Sequence, residues 1–133
     1  MRETARPAAE QFMAALRAFE ADGQTEPLLR LFTDDAELSN YTRTERGRDG
    51  ARRFWEEYRA AFGEIRSRFT AVIVGGRGVA LEWESAGTLP TGSPIRYRGV
   101  SLLELDGGRV RRFRTYYDSA AFVPPAAPPR AGA

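Results

Sequence analysis

Glu82 and Glu84, two apart in the segment from Val79 to Thr88, carry the most direct chemical promise in this sequence. In an extended strand they share one face with Ala80, Ala86 and Thr88, while Val79, Leu81 and Trp83 take the other. If the acid face lines an apolar cavity, the two carboxylates cannot both ionise cheaply. One then holds its proton more tightly, and an acid and a base stand side by side. If the opposite face is the buried one, both acids meet solvent or pair with Arg96 and Arg98 across a hairpin. Asp118 offers a third carboxylate, read either as a cavity acid or as the cap of a final turn. Asp34-Asp35 reads as a cation ligand or, with no third oxygen donor at regular spacing, as a turn.

What the chain lacks narrows the chemistry further. It has no Cys and no His, and all twenty of its basic residues are Arg. That excludes a disulfide, a thiol nucleophile, a His-assisted serine triad, a nitrogen- or sulfur-ligated zinc site, a Schiff-base lysine and a phosphate-loop lysine. Proton transfer must therefore come from Asp, Glu, Tyr, Ser, Thr, Asn, Arg, Trp or water. The net charge is +2. The arginine cluster Arg109-Arg111-Arg112-Arg114 reads as an anion site or as a solvated strand face balanced by Glu, and the small charge excess argues against a nucleic-acid partner.

At 133 residues the chain predicts one domain. No apolar run approaches the roughly 18 residues of a membrane span, so no membrane partner is expected. The first residues lack the apolar core of a secretory signal, which predicts a cytoplasmic protein.

The elements that must position these groups follow from periodicity. Phe12, Leu16 and Phe19 mark an amphipathic helix from about Thr4 to Asp22, with Pro7 in its first turn. Thr25 predicts the cap of a short helix holding Pro27, Leu28, Leu31 and Phe32. A short strand runs from Asp34 to about Tyr41, and Thr42 to Arg48 reads as a loop. A third helix, capped by Asp49, reaches Phe62 and carries Phe54, Trp55 and Tyr58. Phe69 to Gly75 reads as a strand. Three long strands follow, joined by turns at Gly92-Ser93-Pro94 and Asp106-Gly107-Gly108. From 123 onward, prolines and small residues predict a flexible tail after a domain of 1–122. The order predicts an α+β fold, with helices packed on one face of a bent, mostly antiparallel sheet.

Four segments in this order resemble the NTF2-like superfamily, nearest its SnoaL-like polyketide cyclases, ketosteroid isomerases and limonene-epoxide hydrolases. They are Leu31-Phe32-Thr33-Asp34-Asp35-Ala36-Glu37-Leu38, Gly47-Arg48-Asp49-Gly50 with Phe54-Trp55, Gly87-Thr88-Leu89-Pro90-Thr91-Gly92, and Gly107-Gly108-Arg109-Val110 leading to Phe113-Arg114-Thr115-Tyr116-Tyr117-Asp118. The resemblance implies a cone in which three helices cover the concave face of a curved sheet around an apolar cavity. It also implies a homodimer through the sheet face, for which Val79-Leu81-Trp83 and Val100-Leu102 are the apolar candidates.

By the same resemblance, Asn40 stands where an epoxide hydrolase holds the attacking water, and Glu82 and Glu84 where it places an Arg and an Asp. Ser101 replaces an acid that donates to an oxyanion in the isomerases. Thr115 replaces the functional Asp of the last strand, with Tyr117 two residues on, and Leu16 replaces a first-helix Tyr. The sequence thus predicts a cofactor-independent enzyme with no metal, acting on an apolar oxygenated molecule such as a polyketide or terpenoid by cyclisation, isomerisation or epoxide opening. Glu84, helped by Glu82, moves the proton; Tyr117 and Asn40 orient oxygen atoms. Ser101, Thr115, Trp55, Tyr58, Phe12, Leu16, Phe113 and Tyr97 complete the pocket. The alternative is a non-catalytic small-molecule-binding or accessory protein of the same fold.

Overall fold

A computed structural model describes residues 2–123. Helix α1 (Arg2–Asp22) is followed by α2 (Glu26–Leu29), β1 (Phe32–Ser39), β2 (Thr44–Arg46) and α3 (Gly47–Ala60). Then come β3 (Glu64–Val74), β4 (Gly78–Thr88), β5 (Pro94–Asp106), β6 (Arg109–Tyr117) and a 3-10 turn (Ser119–Phe122). The strands form a single sheet in the order β2-β1-β6-β5-β4-β3. Among the described residues only the β1–β6 pairing is parallel; the others are antiparallel. This is the expected α+β cone, with three helices and a curved six-stranded sheet.

Each element follows from local chemistry. In α1 the residues Ala5, Ala8, Ala9, Phe12, Ala15, Leu16 and Phe19 are buried, the single stripe that a 3.6-residue period produces. Helix α3 buries Ala51, Phe54 and Trp55 on one side. These rings meet Phe12, Phe32 and Phe113 in an aromatic centre, with Trp55 5.2 Å from Phe113 and Phe12 5.7 Å from Phe113 between ring centroids. The β5–β6 hairpin turns on Gly107 and Gly108, both at positive φ (59° and 83°), as a two-residue turn matched to strand twist requires.

Five local expectations change. The short helix ends at Leu29, so Leu31 lies beyond it and Phe32 opens β1. The loop expected over 42–48 contains β2, which pairs with β1. Strand β3 begins at Glu64 rather than Phe69. Thr25 makes no side-chain cap; its hydroxyl donates to the Gly23 carbonyl instead. Asp49 lies in the first turn of α3 rather than capping it. The proline-rich tail lies, from 124, outside the described residues.

The largest correction concerns strand parity. Val79, Leu81, Trp83 and Ser85 are the buried residues of β4, while Glu82 is exposed and Glu84 lies half-exposed on the outer face. Glu84 pairs with Arg68 at 2.6 Å, and Glu82 accepts from Thr70 Oγ1 at 2.8 Å. The energetics decide this. Burying a large apolar side chain contributes about 1.5–3 kcal/mol, whereas desolvating an unpaired carboxylate costs several kcal/mol. Turning β4 over would lose the first gain three times and incur the second cost twice. The proposed dimer face changes with it: Val79, Leu81 and Trp83 point into the cone, and Val100 and Leu102 lie on the opposite face, across from Glu82 and Ala80.

Candidate functional site

Inside the cone lies a cavity of about 230 Å³. All the sequence-predicted pocket residues other than the two acids line it: Phe12, Leu16, Asn40, Trp55, Tyr58, Tyr97, Ser101, Phe113, Thr115 and Tyr117. Strand register explains the convergence. Leu81, Ser101 and Thr115 form one inward row across β4, β5 and β6, and Trp83, Gly99 and Tyr117 form the next. Gly99 leaves room for the indole, since a Cβ there would stand 2.8 Å from Trp83 Cζ2.

The wall is mainly aromatic, but it holds two polar clusters. In the first, Trp83 Nε1 donates to Ser101 Oγ at 3.0 Å, and Ser101 Oγ lies 3.0 Å from Thr115 Oγ1. Ser101 and Trp83 are both buried. In the second, Glu20 of α1 is only 4 % exposed. Its carboxylate accepts from Tyr58 Oη at 2.5 Å, from Ser67 N at 2.8 Å and from Ser67 Oγ at 2.6 Å. Ser85 Oγ adds a further link at 2.6 Å to Ser67 Oγ. Tyr58, Ser67 and Ser85 line the cavity, with Glu20 behind them. Glu20, Ser67 and Ser85 also line an outer groove bordered by Arg17, Arg59, Arg66, Arg68 and Arg96.

Burial pushes the phenols of Tyr58, Tyr97 and Tyr117 above the usual tyrosine value. All three remain neutral hydroxyl groups across the ordinary pH range. Glu84 behaves oppositely, its carboxyl held below the usual range by the hydrogen bond and charge of Arg68. A half-exposed, ionised, arginine-paired Glu84 on the outer face has none of the environment that makes a general base.

At the mouth, Thr42, Glu57 and Ala61 are exposed lining residues. Arg43 pairs with Glu57, donates to the Phe54 carbonyl at 3.2 Å and stacks 5.3 Å from the Phe54 ring centroid. Asn40 lies here too, but its Oδ1 accepts from Thr42 N, Thr42 Oγ1 and Arg43 N. The carbonyl expected to hold a water thus closes an Asx turn instead. Asp118 accepts from Ala120 N and caps the 3-10 turn. Asp34 pairs with Arg48 and Arg109, while Glu104 takes Arg111, Arg112 and Arg114, so this basic run is a balanced surface.

The sequence reading missed Ser67, Ser85 and Trp83 as pocket groups and Glu20 as the acid behind them. A signal for Glu20 was present: it follows Phe19, at the edge of the apolar stripe of α1, where a charged residue is buried only with partners.

The SnoaL-like domain family matches residues 9–113 of this chain. The chain belongs to the SnoaL-like domain family. A protein from a Jannaschia species, provisionally named a SnoaL-like polyketide cyclase, superposes with a TM-score of 0.74 at 20% identity, covering 91% of this chain and 95% of its own. TerC, co-crystallised with polyporic acid, gives 0.77 at 20% identity over 87% and 92% of the two chains. A protein of ketosteroid-isomerase-like fold from Catenulispora acidiphila, in complex with trimethylamine, gives 0.74 at 18% identity over 84% and 88%. No curated protein matches the sequence. The shared SnoaL-like cone is thus established, and no helix among the described residues is long and apolar enough to cross a membrane.

Proposed function

We propose that this SnoaL-like protein binds an apolar, oxygen-bearing ring compound of polyketide or terpenoid type inside the cone. There it catalyses a proton-transfer reaction, cyclisation or isomerisation before epoxide opening, without a cofactor. The observation that carries the reading is the buried Glu20 carboxylate, joined to an aromatic-walled cavity through the hydroxyls of Tyr58, Ser67 and Ser85. A proton leaving the bound molecule passes to Tyr58 Oη as that phenol hands its own to Glu20 Oε2. The carboxylate becomes a neutral acid, and the negative charge moves onto the ligand's carbonyl oxygen. Return of the proton at another carbon completes an isomerisation. The family match and the small molecules named with its structural neighbours support a ligand in the cone.

The experiment uses 2-tetralone, an enolisable apolar ketone, in deuterium oxide. The protein should accelerate α-deuterium uptake, and Glu20→Gln should lower that protein-dependent rate by about 10²-fold. Equal rates for wild type and Glu20→Gln would overturn proton transfer.

A second reading, a non-catalytic ligand-binding pocket, is favoured by one observation: Glu20 is not itself a lining residue of the cavity. It predicts binding without acceleration in the same assay. Pairing of two copies is proposed through the outer sheet face, where Val100 and Leu102 are partly covered and Tyr116 is 48% exposed. Light scattering that gives a monomer mass at micromolar concentration would overturn the pairing.

A further inference from the structure

The two polar clusters differ in hydrogen-bond direction, and the difference can be counted. Around Glu20, the Tyr58 hydroxyl and the Ser67 hydroxyl both donate to the carboxylate. Ser67 has thereby spent its only hydrogen, so Ser85 is the donor in the Ser67–Ser85 bond. Every hydroxyl hydrogen in this cluster is directed toward Glu20. The Tyr97 hydroxyl, in hydrogen-bond contact with Tyr58 and Ser85, finds both of their hydrogens spent and gives its own to one of them, so what remains for the cavity is lone pairs, on Tyr97 Oη, Ser85 Oγ and Tyr58 Oη.

The cluster on β5 and β6 has the opposite balance. Trp83 Nε1 donates to Ser101 Oγ, and a single bond joins Ser101 to Thr115. Two hydroxyls share one bond, so among the described residues one hydroxyl hydrogen has no acceptor whichever residue donates. Trp55 Nε1, also on a lining residue, is buried without an acceptor among the described residues. The β5–β6 cluster therefore has a hydrogen to give, and Trp55, whose ring centroid lies 5.2 Å from that of Phe113 and 5.8 Å from that of Tyr58, holds another elsewhere in the wall.

We propose that the cavity selects molecules with a hydroxyl donor at one end and a carbonyl or ether oxygen at the other. The donor meets Ser85 and Tyr58, the oxygen meets Ser101 and Thr115, and Glu20 is the positioning residue that fixes this polarity. Ser85 and Leu81, the cross-strand neighbour of Ser101, are four residues apart on β4. At about 3.3 Å per residue this spans roughly 13 Å, which leaves about 8 Å between the two ligand oxygens after a hydrogen bond at each end. A two-ring skeleton has that length, and the aromatic wall supplies its apolar contacts. The selectivity rests on the small-molecule reading above but not on any reaction.

Glu20→Gln tests it directly. Glutamine keeps a carbonyl oxygen for Ser67 N but places an NH2 where Oε2 accepted. That group donates to Tyr58 or Ser67, which turns the hydroxyl hydrogens back toward the cavity. The lone-pair end becomes a hydrogen-giving end.

The measurement is a nuclear magnetic resonance titration of the two indole N–H signals, since both tryptophans of the chain line the cavity. The probes are 6-hydroxy-2-tetralone, 6-methoxy-2-tetralone, 5,6,7,8-tetrahydro-2-naphthol and tetralin. Wild type should bind the hydroxy-tetralone about tenfold more tightly than its methoxy analogue. Glu20→Gln should abolish or reverse that ratio, and Ser101→Ala with Thr115→Val should weaken both tetralones while sparing the naphthol. Should Glu20→Gln fail to fold, Ser85→Ala serves in its place and should reduce the same ratio. Binding of all four probes with the ratio unchanged in the variants would overturn the polarity alone. Absence of binding by any probe would overturn the small-molecule reading and this inference with it.

Discussion

At the scale of single residues, the site depends on which carboxylates are out of water and what holds them there. Glu20 is buried and accepts three hydrogen bonds, whereas Glu84 sits on the outer face against Arg68. Glu84→Gln should therefore leave ligand binding and tetralone exchange unchanged, a result incompatible with an active pair of Glu82 and Glu84. Glu20→Ala should destabilise the fold by about 3 kcal/mol in urea titration, because Ser67 N loses its buried acceptor and a void opens. Sequence reading went astray here for a specific reason. It placed Glu82 and Glu84 by their likeness to a catalytic pair, against the apolar weight of Val79, Leu81 and Trp83 on the same strand.

At the scale of elements, parity is set by the whole sheet rather than by one strand. Strand β3 shows how fragile it is. Ile65 and Ser67 are buried and Phe69 pairs with Trp83, but the register then shifts, so that Ala71 opposes Glu82 and Val72 opposes Leu81. Thr70 is the extra residue of this bulge. Had the pairing continued without the shift, Val72 and Val74 would oppose Ala80 and Gly78 and face outward. No hydrophobic pattern announces such a bulge, because a threonine in a strand looks like any other. Gly99 is a second device of this scale: a Cβ there would lie 2.2 Å from the Tyr116 carbonyl oxygen as well as against Trp83. Gly99→Ala should cost about 3 kcal/mol, read as a lower thermal midpoint, and should disturb the Trp83 indole signal.

At the scale of the molecule, composition controls the response to pH. With no His and no Cys, no side chain has an ordinary value between about 6 and 8. Thermal stability should be flat from about pH 6 to 9. Tyr58 and Tyr97 then impose a decline. Burial raises both phenols in the folded chain, so their contribution is complete below the unfolded value near 10. As pH rises beyond that value the unfolded chain ionises first, and stability falls toward the folded values. Melting curves from pH 8 to 11 should show the decline, and Tyr58→Phe should make it shallower. A melting point rising above pH 10 would contradict the burial of these rings.

Much of this architecture was legible in the chain alone. Periodicity marked α1 and α3, paired glycines marked the β5–β6 hairpin, and the absence of His, Cys and Lys closed off whole classes of chemistry. Those features depend on neighbours in sequence, where sterics and propensity act. The identity of the buried acid did not. Glu20 meets Tyr58 and Ser67, 38 and 47 residues away, only when α1 lies across β3 and α3. That meeting depends on how helices and sheet share one apolar interior, and tertiary packing alone decides it.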